Sequence, residues 1–117
     1  MIALLVIKTN QLEKLKSFYE LLEMDFKMEQ HGTGPIHYST LIKKQNIVFE
    51  IYPLSKKQLS PDISTRLGFK VNHLEKTIKA IVDVGGMVQR KITKTDFGTL
   101  AVVKDFDGRS IEVYQRE

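Results

Sequence analysis

Short apolar stretches separated by turn residues run along the chain, and their spacing changes character twice. Residues 2 to 8 and 66 to 71 are brief and rich in branched or apolar side chains, which predicts strands. Each is followed by apolar residues spaced three and four apart: Leu12, Leu15, Tyr19 and Leu22, then Leu74, Ile78, Ile81 and Val84. That spacing makes one stripe along an amphipathic helix. Asn10 and Asn72 precede these helices, with Glu13 and Glu75 three positions on, so both asparagines are expected as N-caps. Gly85-Gly86 is expected to end the second helix. Strand-like runs follow near 25 to 30, 36 to 43 and 47 to 52, and again near 87 to 92, 98 to 104 and 109 to 115. Asp107-Gly108 reads as a hairpin turn, with Gly32 and Gly34 marking the corresponding connection earlier in the chain. PLSKKQLSPDIST, 53 to 65, carries two prolines and no periodicity, and reads as a linker.

The two halves are copies of one pattern. The block N-x-L-E-K ends at Lys14 and again at Lys76, and F-E-I-Y and I-E-V-Y place Glu50 with Tyr52 and Glu112 with Tyr114. Both pairs of blocks stand 62 positions apart. Each half is therefore expected to be β-α-β-β-β, the architecture of a repeated α+β unit. The expected layout is a single domain over 1–117, with a module at 1–52, a linker at 53–65 and a second module at 66–117.

Alternation along a strand assigns faces. Ile47, Phe49 and Ile51 share one side, Val48, Glu50 and Tyr52 the other; Ile111 and Val113 oppose Ser110, Glu112 and Tyr114. The apolar side is expected under the helix, which puts both glutamates and both tyrosines on the opposite side. An antiparallel sheet often leaves one side to water, so alternation alone leaves open whether that face is only solvated.

Composition narrows the chemistry. A hydrophobic fraction of 42% with 27% charged residues is that of a chain that folds. The longest apolar run, at 2 to 7, is far shorter than the roughly 18 residues a membrane span needs, and nothing resembles a signal peptide, so no membrane association and a cytoplasmic location are expected. With no cysteine, thiolate chemistry and Cys-based zinc sites are excluded. The net charge of +4 comes from lysines scattered among acids without an aromatic-rich basic stripe, so no nucleic-acid partner is expected. Of the histidines, His73 is expected at the surface, while His37, beside Tyr38 at a strand start, is the better candidate for a ligand-binding role. None has the spacing of a two-histidine metal motif.

The paired modules, the Phe18-Tyr19 step in the first helix and the ending D-x-D-G-x-x-I-E-V from Asp105 to Val113 resemble the vicinal oxygen chelate superfamily. That group includes glyoxalase I, bleomycin-resistance proteins, fosfomycin-resistance enzymes, extradiol dioxygenases and methylmalonyl-CoA epimerases. The resemblance implies a curved mixed sheet around a central cavity with the helices outside, a small-molecule ligand and a homodimer. It also implies four metal positions, which fall here on Leu4, Glu50, Arg66 and Glu112. Leucine cannot coordinate a metal and a protonated arginine repels one. No tightly held metal is therefore expected there, only a weakly bound divalent ion on Glu50 and Glu112 if any.

Two uses of such a site follow. In one, Leu4, His37, Val48, Tyr52, Arg66 and Tyr114 line a pocket that binds a small molecule with an aromatic or cationic part, without a cofactor. In the other, the protein is a glyoxalase-like lyase or isomerase with Glu50 or Glu112 as the candidate catalytic base. A structural or regulatory subunit is a third class. Arg66 is expected to sit buried between Glu50 and Glu112 in place of the metal, so that its removal costs on the order of 3 to 5 kcal/mol.

Overall fold

In a computed structural model describing residues 1–117, ten elements follow the order that the hydrophobic pattern predicts. They are β1 (Leu4–Thr9), α1 (Leu12–Glu20), β2 (Lys27–Glu29), β3 (His37–Ile42), β4 (Ile47–Pro53), β5 (Leu67–Val71), α2 (Leu74–Asp83), β6 (Met87–Thr95), β7 (Gly98–Lys104) and β8 (Ser110–Gln115). The fold is α+β, with two four-stranded sheets ordered β1-β4-β3-β2 and β5-β8-β7-β6. In each, the module's first strand pairs parallel with its last, and the remaining pairs are antiparallel. The chain forms two compact units, Met1–Glu20 with Met24–Asp62, and Leu21–Glu23 with Ile63–Glu117. No helix is long and apolar enough to cross a membrane.

The repeat is visible in the backbone as well as in the residue types. Val6 stands opposite Glu50, and Gly68, 62 positions on, stands opposite Glu112. Glu23 and Asn46 have positive φ, as do Gly85 and Gly108 at the same offset. The connection matching Asp107-Gly108 is therefore the one at Asn46. Gly32 and Gly34, expected there, lie instead between β2 and β3.

Each core is built under one face of its sheet. In the first unit the Tyr19 ring meets Phe18 and Phe49 edge-on, at 5.2 and 5.3 Å, and Phe26 closes on Phe49 at 5.7 Å. The second unit buries aliphatic chains instead, with Val71, Ile81, Val103, Ile111 and Val113 fully covered. Leu15, Tyr19, Leu22, Leu74 and Ile81 of the predicted helix stripes are buried, and Leu12 and Ile78 are half-buried. Val84 is exposed because α2 has already ended there, and Thr77, one turn after Leu74, takes the covered place.

Neither asparagine is an N-cap. The carbonyls of Gln11 and His73, one residue later, accept the first helical bonds. His73 makes no side-chain cap bond. The backbone N–H groups of Asn72 and His73 donate to the Glu23 carboxylate at 2.9 and 3.3 Å, and that of Leu74 donates to Gln115 Oε1 at 3.0 Å. A distant carboxylate thus supplies both the acceptors and the negative charge that a helix start favours. At the other end Gly85 N–H reaches the Val82 carbonyl and Gly86 N–H the Ile81 carbonyl, a Schellman pair. A side chain at Gly86 would meet Ile81 Cγ2 at 2.4 Å.

The D-x-D-G-R segment before β8 is a buried knot. Asp105 Oδ1 accepts the backbone N–H groups of Asp107, Gly108 and Arg109 at 2.9 to 3.0 Å. The buried Arg109 guanidinium closes on Asp105 and Asp107 at 3.1 and 2.9 Å. This fixes the entry of β8 and hence the position of Glu112.

Candidate functional site

In the first unit the pairing Ser39 with Glu50, Glu29 with His37 and Lys27 with Ser39 places Glu29, His37 and Glu50 on one face of the sheet. Leu4 and Val48 are opposite each other on that same face. The His37 side chain is 1% exposed, and Tyr52 stacks flat against its ring at 4.0 Å. Nδ1–H of His37 donates to the Pro35 carbonyl at 3.1 Å, since a carbonyl only accepts. Its Nε2 lies 3.3 Å from Glu29 Oε1 and 3.6 Å from Glu50 Oε2, with no hydrogen-bond partner. His31, on the β2–β3 loop, brings a second ring to 5.1 Å from the first, and its Nε2 to 3.8 Å from Glu29. Ligand atoms of Glu29, His31, His37 and Glu50 all lie within 4.8 Å of one another. Burial, then the charges of Glu50 and Glu29, raise the Tyr52 phenol above its ordinary pKa and keep its proton on.

The equivalent face of the second unit is arranged differently. Glu112 Oε1 accepts from the Tyr114 hydroxyl at 2.6 Å, and Glu112 Oε2 accepts from Arg66 Nη2 at 3.1 Å. Both oxygens are engaged. The Tyr114 pKa is raised chiefly by that hydrogen bond, then by burial and the Glu112 charge, with Arg66 pulling the other way, so Tyr114 stays a donor. Gly68 lies opposite Glu112, and a Cβ there would touch the Tyr114 ring at 3.4 Å. Beside this trio an open groove of about 470 Å³ runs over Leu100 and Val102, with Arg90 and Phe97 among its walls.

The predicted residues thus form two groups, His37, Glu50 and Tyr52 in the first unit and Arg66, Glu112 and Tyr114 in the second. The buried arginine expected at Arg66 is corrected. Its side chain is 67% exposed, so water screens its pair with Glu112 and the bond is worth at most about 1 kcal/mol. The four metal positions implied by the resemblance do not fit a metal, because Leu4 is aliphatic and Arg66 is a cation that already pairs with Glu112. Glu29 and His31 are additions that the sequence reading did not select. The only signal was the segment E-x-H-x-x-x-x-x-H, whose members meet through hairpin register and the turn at Gly32 and Gly34.

No family model matches the chain, and no curated protein matches it by sequence. Solved structures do. An antibiotic-binding protein, TnmS3, from a Streptomyces species superposes with a TM-score of 0.74 at 21% identity, covering 100% of this chain and 96% of that one. A domain from Frankia described as glyoxylase/bleomycin resistance protein/dioxygenase gives 0.76 at 12% identity, covering 100% and 98%. A mutant glyoxalase I from Zea mays gives 0.77 at 18% identity over 98% of this chain, which spans 44% of the maize chain. The chain has the vicinal oxygen chelate fold.

Proposed function

On the vicinal oxygen chelate fold, we propose that this chain is a small-molecule binding protein of the bleomycin-resistance type, without a metal at the four positions the fold family uses. The observation that carries the reading is the engagement of Glu112 by both Arg66 and Tyr114 at the wall of the groove. These bonds occupy one lone pair on each Glu112 oxygen and hold the Arg66 and Tyr114 side chains in place for a ligand.

The lining refines the ligand. Arg66, Arg90 and Lys94 face Asp96 and Glu112, a surplus of positive charge, and Leu100, Val102 and Phe97 supply apolar surface. An aromatic body carrying an anionic or acceptor group suits this groove better than a cation. The resemblance to an antibiotic-binding protein supports a binding role at the level of fold alone. The protein is also proposed to act as a cytoplasmic homodimer, for which sedimentation should give about twice the 13.5 kDa chain mass.

Titration with a panel of aromatic carboxylates, followed by tyrosine fluorescence and amide chemical shifts, tests the reading. Saturable binding is expected, weakened about tenfold by Arg66→Ala, the size of one charge-assisted hydrogen bond of about 1.5 kcal/mol. Binding that is indifferent to Arg66→Ala sinks it. Turnover of the bound compound that is lost in Glu112→Gln transfers the site to the lyase or isomerase class.

A further inference from the structure

The buried histidine of the first unit poses a problem that the groove does not solve. His37 is covered, its ring plane is held by Tyr52, and its tautomer is set by the Pro35 carbonyl, which takes the Nδ1 proton. In the neutral ring, Nε2 is then a bare lone pair. It points at two carboxylate oxygens, at 3.3 and 3.6 Å, which are acceptors too. Three acceptors facing one another repel unless a proton or a metal cation stands between them.

We infer that Glu29, His31, His37 and Glu50 form a site for one divalent transition-metal ion of the zinc or cobalt type. The donor set is two imidazoles and two carboxylates, which suits such an ion and cancels its double charge. Bonds of about 2.0 to 2.1 Å put tetrahedral ligand atoms about 3.4 Å apart. Three of the histidine–carboxylate pairs here are 3.3, 3.6 and 3.8 Å apart, and the whole set lies within 4.8 Å. Small rotations of the exposed Glu29 and His31 side chains close the remainder. The bond from Nδ1–H to a backbone carbonyl is the outer support that metal-binding histidines use to fix ring orientation. Only Glu50 is common to this site and the four positions named by the resemblance, so the ion sits within one module, on the β2–β3 hairpin and β4.

The test uses the full chain, stripped with chelator and dialysed, then titrated with Co²⁺ and displaced with Zn²⁺, read by visible absorption and calorimetry. His37 is buried and its replacement threatens the fold, so the variants are His31→Ala and Glu29→Gln, with circular dichroism confirming native structure. One equivalent of Co²⁺ with intense tetrahedral bands is expected, and each variant should weaken binding at least tenfold. Glu112→Gln should leave the affinity unchanged. No saturable binding at one equivalent, equal affinity in the two variants and the parent, or loss of the site in Glu112→Gln would each overturn the assignment. So would NMR evidence that the His37 ring carries protons on both nitrogens after metal addition.

Discussion

In the first module the glutamate of the last strand leans on a buried histidine, while in the second the equivalent glutamate holds an exposed arginine and a tyrosine. The cores differ in the same way. Edge-on aromatic rings fill the first, and branched aliphatic chains fill the second. The turn before the last strand is a run of exposed lysines ending at Asn46 in one module, and a buried knot of Asp105 and Arg109 in the other. A shared topology therefore fixes where strands and left-handed bends fall, and leaves the means of holding them free. Each module has spent that freedom on different chemistry at matching positions.

The sharpest way to break the comparison is at the two turns. Asp105→Ala removes one of the two carboxylates paired with the buried Arg109 and the side-chain acceptor of three backbone N–H groups, and should cost about 3 to 5 kcal/mol in a denaturant titration. Lys43→Ala, the exposed counterpart, should change stability by less than about 0.5 kcal/mol. Equal losses would mean that the second turn is not held by its ion pair. Next come the helix ends. Gly86→Ala drives a methyl into Ile81 and should cost about 1 to 3 kcal/mol, whereas Met24, 62 positions earlier, already carries a side chain.

Smaller still is Arg66→Ala, expected to lower thermal stability by at most about 1 kcal/mol because the pair it breaks is largely exposed. A loss of several kcal/mol would mean that Arg66 is shielded from solvent in the working protein. The smallest effect is alkaline. Hydrogen bonds to Glu13 and Glu112 raise the pKa of Tyr38 and Tyr114 above 10.0. The folded state holds these protons more tightly than the unfolded one, so their stabilisation is complete below pH 10 and fades as pH rises through the raised values. Tyr38→Phe and Tyr114→Phe should each flatten the fall of stability above pH 10, and spectrophotometric titration should show delayed phenolate formation in the parent.

Most of the fold was legible because the repeat left its mark in residue types. N-x-L-E-K and E-x-Y located the helix starts and the last strands, and β-branched runs located the other strands to within a few residues. The caps were not legible. Glu23 reaches Asn72 through a left-handed bend that no local pattern announces, and takes the cap role expected of Asn72, while before the first helix Thr9 Oγ1 accepts the Gln11 N–H. The site was half legible. Period-two alternation found Glu50, Tyr52, Glu112 and Tyr114, but Glu29 and His31 join His37 only through the register of a hairpin with a seven-residue loop, which spacing alone does not encode. The exposure of Arg66 was also out of reach, since strand periodicity orders faces and is silent on how far a side chain just before the strand extends into water.

Strand order within each sheet has a consequence for synthesis. The first sheet has every strand once Pro53 has been made, whereas the second waits for β8, which sits between β5 and β7 and ends at Gln115. Gln115 also supplies an acceptor at the start of α2. At roughly 5 to 20 residues per second the growing chain carries a complete first sheet for about 3 to 12 seconds before the second can close. From the completion of β7 at Lys104 until β8 is made, β5 and β7 have no strand between them, and their open edges are what a chaperone would meet.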